Sequence, residues 1–278
     1  MLKLTPDEIR VAVRAALAED LGSAGDVTTL ACIPPDSVST ARMNARESMT
    51  VAGLDFVEAA FQELGPNLQI EGLVGDGTQV GPGTVLARIH GSTRAILTAE
   101  RVALNFLQRL SGVATATARF VALVQGTNAR ILDTRKTTPG LRLLEKHAVR
   151  CGGGVNHRFG LADGVLVKDN HLLSVTSIAE AVDRVRAETT LPVKVECDTL
   201  EQVDEALAAG ADALLLDNMS VAELREAVSR VAGRARLEAS GGITLDTIRA
   251  VAETGVDEIS VGALTHSARS LDVTLEVS

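Results

Sequence analysis

The stretch "ILDTRKTTPG", Ile131–Gly140, sets Thr134, Arg135 and Lys136 at the mouth of a short apolar run. On a surface helix two neighbouring cations are simply solvated, but at the end of a buried strand they suggest a bound anion. The chain as a whole is acidic, with 27 Lys+Arg against 36 Asp+Glu and a formal net charge of -9. An anion site on such a protein has to concentrate its cations locally.

The same strand-end position recurs. Lys168 follows "GVLV", Glu196 follows "PVKV", Asp217 follows "ALLL", and Ser240-Gly241-Gly242 follows "ARLEA". One charged residue at a strand end is often only solvated, but a succession of them suits a multiply charged ligand. "ASGGITLDTI" reads as Ser-Gly-Gly opening a helix, and one unit later "SVGALTHS" places Val261-Gly262-Ala263 at the next strand end. Backbone N–H groups and a helix N-terminus there would make the phosphate site common at the last two strands of α/β barrels. Glycines needed only for a turn are the plain alternative. Two such loops in succession favour phosphate.

His157 and Arg158 follow the Gly triplet of "KHAVRCGGGVNHRFG", which lacks the Gly-Lys-Ser/Thr of a P-loop. Arg158 can grip a carboxylate bidentately, and His157 can donate a hydrogen bond or act in acid–base chemistry. A structural His beside Gly is the commoner case. Glu196 and Asp217 can hold Mg²⁺ through water, bind ribose hydroxyls, stabilise a cationic transition state, or form salt bridges with Lys168 or Lys194. The residues alone leave these readings open. The five His (His90, His147, His157, His171, His266) show no metal-ligand spacing, and Cys32, Cys151 and Cys197 form no C-x-x-C. Neither a disulfide framework nor a structural zinc site is therefore expected.

These residues need a scaffold that brings strand ends together. From Ile131 onward, Val/Ile/Leu-rich runs alternate with amphipathic helical patterns such as "SIAEAVDRVRAE" and "VAELREAVSRVAG". Thr199 with Gln202 and Ser220 with Glu223 have capping-box spacing, and Gly210, Gly233 and Gly255 stand where helices should stop. The strands are too apolar to face water on either side, which implies a buried parallel sheet. Successive strand ends recur at intervals of 21 to 28 residues, about one βα unit each. That predicts an α/β barrel over 113–267, with a doubly wound open sheet as the alternative.

Residues 1–112 lack the βα repeat and form a separate N-terminal domain. It starts with a helix capped by Thr5, Pro6 and Glu8 and lined by Ile9, Val13, Leu17 and Leu21. "GDGTQVGPGTVLARI" looks like a hammerhead hairpin without its attachment lysine, so it reads as scaffold. "LDVTLEVS", within 268–278, alternates like a strand that returns to this domain. With no Trp, no Tyr and no basic face, nucleic acid is discarded as a main partner. No apolar run reaches the roughly 18 residues of a membrane span, and no signal peptide is evident, so a cytoplasmic protein with no membrane partner is expected.

Together, "DTRKTTPGLR", "EKHAVRCGGGVNHRFGLADGVLVKDNH", "DNMS", "SGGI" and "SVGALTHSARSLDVTLEV" resemble the signature segments of the quinolinate phosphoribosyltransferase family. The resemblance runs through nearly the whole chain. It implies an α/β fold with an N-terminal α/β sandwich domain and an incomplete C-terminal α/β barrel, assembled as a homodimer or as a hexamer. It implies conversion of quinolinate and phosphoribosyl pyrophosphate, with Mg²⁺, into nicotinate mononucleotide, pyrophosphate and CO₂ in NAD synthesis. By motif, Arg135, Lys136, His157, Arg158 and Lys168 would line the quinolinate pocket, Thr134 would be substrate-binding beside them, and Arg101 would reach the partner's site across the dimer. Glu196 and Asp217 would serve ribose and metal, and Ser240, Gly241 and Gly242 with Val261, Gly262 and Ala263 the phosphate. Lys136, Lys168, Glu196 and Asp217 would be catalytic, with Lys136, Lys168 or water as proton donor. "VKVEC" departs from the more acidic strand the family suggests, which leaves the role of Lys194 open.

Overall fold

The computed structural model describes residues 4–278. Its first helix starts as the sequence dictates. The Glu8 N–H donates to the Thr5 hydroxyl (3.2 Å) and the Thr5 N–H to the Glu8 carboxylate (2.7 Å), so two otherwise orphaned donors are satisfied in the first turn of α1 (Pro6–Leu21). Ile9, Val13 and Leu17 then bury one face.

Two units make up the structure. The first comprises the chain up to Ala116, Leu143–Gly153 and Ser267–Ser278. It holds α1, α2 (Val27–Cys32), β1 (Val38–Ala45), β2 (Met49–Thr50), α3 (Leu54–Leu64), β3 (Gln69–Gly72), β4 (Gln79–Val80), β5 (Val85–Ser92), most of α4 (Thr93–Leu123) and nearly all of α5 (Arg142–Cys151). An antiparallel sheet has the order C-terminal strand (Val273–Val277), β1, β5, β3. Along β1, Ala41, Met43 and Ala45 are buried while their neighbours are more exposed, the period-2 pattern of a sheet covered on one side. Phe56 of α3 stacks on Phe106 of α4 with ring centroids 5.0 Å apart. The unit also takes Leu143–Gly153, a segment inside the 113–267 stretch whose pattern predicts the barrel. Leu144, Ala148 and Val149 form a buried apolar stripe on α5, and Glu145 receives Arg109 of α4.

The second unit, Thr117–Arg142 and Gly154–His266, is the strand–helix repeat. It runs β6 (Arg130–Leu132), β7 (Val165–Val167), α6 (Asp169–Leu172), α7 (Ile178–Glu188), β8 (Val193–Cys197), α8 (Leu200–Ala208), β9 (Ala213–Asp217), α9 (Val221–Val231), β10 (Arg236–Ser240), α10 (Ile248–Ala252), β11 (Glu258–Ser260) and α11 (Ala263–His266). All six strands are parallel, in the order β6-β11-β10-β9-β8-β7. From β7 to β11 the sheet grows in one direction without a switch point, and the first strand lies beside the last. A doubly wound sheet would reverse, so this is an incomplete α/β barrel whose seam lies between β6 and β7. Val155, bridged to Leu132, sits at that seam. Both predicted capping boxes form, on α8 and α9. Gly210, Gly233 and Gly255 have φ of 76°, 75° and 97°, left-handed values that stop the helices.

The strands are not apolar on both sides. Val193, Val195 and Cys197 of β8 are buried, while Lys194 and Glu196 project to the opposite, inner face; Glu238 and Glu258 are buried charged positions of β10 and β11. The helix-facing positions supply Val, Leu or Cys at every second residue, and between them stand the charges of the inner face. No helix among the described residues is long and apolar enough to cross a membrane.

Candidate active site

Alternation along the parallel strands decides which side chains meet. Glu196 pairs in register with Leu215, so Glu196 and Asp217 share a face at adjacent strand ends. Lys168, one residue past β7, forms an ion pair with Glu196. Deeper on the same face, Lys194 bonds Glu238 and stands 3.5 Å from Glu258, which also receives Arg130 at 2.6 Å. His157 Nδ1 accepts the Arg158 backbone N–H (2.8 Å), so its proton lies on Nε2, 3.3 Å from the Glu238 carboxylate. Burial pushes the Glu238 carboxyl up, but His157 and Lys194 outweigh it and hold it at about 2. His157 is therefore held on both ring nitrogens, by the Arg158 N–H and by Glu238.

Two loops carry the cations. Asp133, fully buried at the end of β6, accepts from Asn156 Nδ2 (2.6 Å) and from the His157 backbone N–H (2.9 Å). Arg142 donates to Thr137 Oγ1 (3.1 Å), the Phe159 carbonyl (2.9 Å) and the Arg135 carbonyl (3.4 Å). These contacts lock the Thr134–Gly140 loop to the His157–Gly160 loop and bring Arg135 near Arg158. Burial, and then the charge of Arg135, lower the Arg158 pKa from its ordinary value. Arg158 Nη1 is held by the Gly164 carbonyl at 2.8 Å. The Nε atoms of Arg135 and Arg158, and Oε1 of Glu238, are buried yet make no hydrogen bond within the protein. Two like charges, each with a desolvated spare donor, suit a bound anion in addition to Asp163, the carboxylate already acting on Arg158.

The adjacent cations of the opening motif part company. Lys136 is exposed, its stem lies against Gly262, and its carbonyl accepts from Thr265 Oγ1 at 2.8 Å. Lys136 thus belongs to the Val261–Ala263 loop, and Arg135 to Arg158. The Ser240–Gly242 loop differs from expectation, because it does not open a helix. Gly241 and Gly242 adopt φ of 92° and 62°, the Thr244 N–H is taken by Thr247 Oγ1 at 3.0 Å, and α10 starts only at Ile248. A Cβ on Gly241 would lie 2.1 Å from Asn218 Oδ1, so the glycine is also required by the close approach of the Asp217–Asn218 turn. Asn218, at φ 55°, donates its backbone N–H to the Ser240 carbonyl (2.9 Å) and its side-chain amide to Asp217 (2.6 Å).

The structure thus groups Arg135, His157 and Arg158 at one place, Lys168 with Glu196 at another, and Lys136 beside Gly262, with the Thr134 hydroxyl accepting from the Lys136 N–H at 3.0 Å. Asp217 and Ser240 meet through Asn218. Arg101 is exposed on α4 of the first unit. A cavity of about 850 Å³ is bordered by His157, Arg158, Lys194 and Glu258, but it extends toward strand starts such as Arg130 and Asp257 and excludes Lys136, Asp217 and Ser240. It is the hollow inside the seam and not the rim site itself. Sequence reasoning missed Asp133, Arg142, Asn218 and Glu238. A signal existed for Glu238 only, as a charge at an alternate position of the apolar run "RLEAS".

The sequence and fold have known counterparts. Residues 26–111 match "Quinolinate phosphoribosyl transferase, N-terminal domain" and residues 113–276 match the C-terminal domain of the same description. The chain is 45% identical to the "Nicotinate-nucleotide pyrophosphorylase [carboxylating]" of Mycobacterium leprae, covering 98% of both proteins. It is 44% identical to the "Probable nicotinate-nucleotide pyrophosphorylase [carboxylating]" of Bacillus subtilis, covering 94% of this chain and 90% of that one. Among solved structures it superposes on NadC from Streptococcus pyogenes with a TM-score of 0.96 at 40% identity, covering 100% and 99% of the two chains.

Proposed function

The chain belongs to the quinolinate phosphoribosyltransferase family, and on that premise we propose that it transfers the phosphoribosyl group of phosphoribosyl pyrophosphate to quinolinate. The products are nicotinate mononucleotide, pyrophosphate and CO₂. The observation that carries this reading is the paired Arg135 and Arg158, each with a buried Nε that has no partner in the protein. Two guanidiniums side by side suit two adjacent carboxylates on one ring, with His157 held rigid beside them by Glu238.

Lys136, Gly262 and the Ser240–Gly242 loop serve the phosphates, which keeps the phosphoribosyl donor apart from the dicarboxylate. Glu196 and Asp217 lie on one face, as ribose or metal ligands must. Glu196 is neutralised by Lys168 and Asp217 accepts from Asn218, so the pair suits Mg²⁺ held through water or brought in with the donor's phosphates. Bound there, Mg²⁺ would neutralise charge on the pyrophosphate leaving group. As the C1′–O bond breaks, Glu196 and Asp217 stabilise the developing oxocarbenium charge, and the pyridine nitrogen supplies the electron pair of the new bond. The resulting pyridinium accepts the electron pair of the ring-carbon–carboxylate bond as CO₂ leaves, and a proton then takes that ring position. Lys168, paired with a carboxylate, Lys136, exposed on the rim, and water are the donor candidates.

A homodimer with Arg101 reaching the partner's site completes the reading, supported by Arg101 being exposed on a long helix. A cytoplasmic location is supported by three unpaired cysteines. The test is release of CO₂ from carboxyl-labelled quinolinate with nicotinate mononucleotide as co-product. Turnover of nicotinate but not quinolinate would overturn the decarboxylating reading. Mixing Arg101→Ala with Asp217→Ala subunits should restore about a quarter of wild-type activity if Arg101 acts in trans, and none if it acts in cis.

A further inference from the structure

Outside this site, the first unit brings together three side chains that no step above uses. His147 and Cys151 are one turn apart on α5, so both project from one face. Asp76 meets them from the turn between β3 and β4. His147 Nε2 is 3.0 Å from Asp76 Oδ2, Cys151 Sγ is 3.4 Å from His147 Nε2, and Sγ is 3.9 Å from Asp76 Oδ2.

This is not the arrangement of a nucleophilic relay. In a Cys-His-Asp relay the imidazole gives one nitrogen to the thiol and the other to the carboxylate. Here sulfur and carboxylate approach the same nitrogen, so the three donor atoms converge on a point. An ion about 2.0–2.1 Å from nitrogen and oxygen and about 2.3 Å from sulfur, in tetrahedral geometry, holds its ligand atoms about 3.3–3.6 Å apart. The observed triangle is one face of that tetrahedron to within a few tenths of an ångström.

The surroundings fit as well. Asp76 is oriented by the Gly53 N–H, 3.0 and 2.9 Å from its two oxygens, and by the Leu54 N–H at 3.1 Å. Backbone bonds of this kind fix a ligating carboxylate. A cavity of about 350 Å³ bordered by Leu54, Val57, Val74, Asp76 and His147 gives an entry path and room for water in the fourth position, with Glu58 on its wall adding negative potential. We propose that Asp76, His147 and Cys151 form a binding site for a divalent transition-metal ion of the zinc class, with three protein ligands and one water. The donor set of thiolate, imidazole and carboxylate selects this class over Mg²⁺.

A cysteine thiol is ordinarily protonated near neutral pH and ligates a metal as the thiolate. As the sulfur–metal bond forms, the S–H proton leaves to solvent. His147 ligates through the Nε2 lone pair, which requires the neutral tautomer with its proton on Nδ1. One proton is released per ion. The bound ion ties the last turn of α5 to the cap of α3.

Metal-stripped full-length protein titrated with Co²⁺ tests this. One Co²⁺ per chain should bind with a thiolate-to-cobalt charge-transfer band and tetrahedral visible bands, be displaced by Zn²⁺, and survive excess Mg²⁺. Calorimetry in buffers of different ionisation enthalpy should report release of about one proton. Cys151→Ser and His147→Gln, checked for folding by circular dichroism, should each weaken binding by about a hundredfold or more, since even outer-shell losses cost 10–100-fold. Absence of the charge-transfer band, or binding untouched by both substitutions, would overturn the proposal. Quinolinate turnover by Cys151→Ser, read separately, should match wild type.

Discussion

The two sheets of this protein solve burial in opposite ways. The antiparallel sheet of the first unit closes over Ala41, Met43, Ala45, Leu86 and Ile89, all buried and all uncharged. The inner face of the parallel sheet carries Lys194, Glu196, Glu238 and Glu258, each tied to a partner of opposite charge. An apolar face gains free energy simply by leaving water, at about 25 cal/mol per Å². A charged face gains little net stability because desolvation offsets the pairing, but it fixes side chains in one arrangement. The first sheet is built to be stable and the second to hold a charged site in place.

That contrast can be broken from either side. Ile89→Ala should cost about 2–5 kcal/mol of unfolding free energy by denaturant titration, while KM for both substrates stays unchanged. If it also raised KM for quinolinate, the division of labour would be wrong. Arg158→Ala should do the reverse, lowering kcat/KM for quinolinate by about 10²–10³-fold with a smaller effect on phosphoribosyl pyrophosphate and little change in melting temperature. An equal loss for both substrates would misplace the residue.

Glu238→Gln probes the charged network itself. With the carboxyl held at about 2 against an ordinary 4.5, its contribution to stability is full above pH 4.5 and is lost as pH falls through about 2. The variant should lose that part of the acid dependence, and a looser His157 should raise KM for quinolinate by about tenfold. An unchanged acid-unfolding curve would mean that Glu238 carries no linked stability. The smallest effect belongs to the scaffold: Ser220→Ala removes the capping hydroxyl of α9 and should cost about 1 kcal/mol with normal kinetics.

Local chemistry was legible in the sequence wherever one residue type answers one backbone need. Thr5, Thr199 and Ser220 cap helices, and glycines stop them, because those interactions span only three or four residues. The strand-end rule found Lys168, Glu196 and Asp217 for a similar reason, since an apolar run that stops at a charge marks where a buried strand reaches solvent. Asp133 and Arg142 were not legible. Each acts through backbone groups of a loop far along the chain, and nothing in "LDTRK" or "GLRLL" says which loop. His147 and Cys151 are one turn apart, but nothing local marks them as ligands because their third partner, Asp76, lies 71 residues from His147.

The sequence by itself determined the repeating unit, the parallel sheet and the supply of cations at strand ends, because hydrophobic period and capping are written within a few residues. Only the tertiary structure decided how those cations divide. Arg135 turns to Arg158 and Lys136 to Gly262, because the loop bends at Arg135, where the Thr137 N–H donates back to the Arg135 carbonyl at 3.0 Å. It also decided that Lys194 faces Glu238 and Glu258. Which charges share the inside of a barrel depends on the register between strands, and register is a property of the assembled sheet.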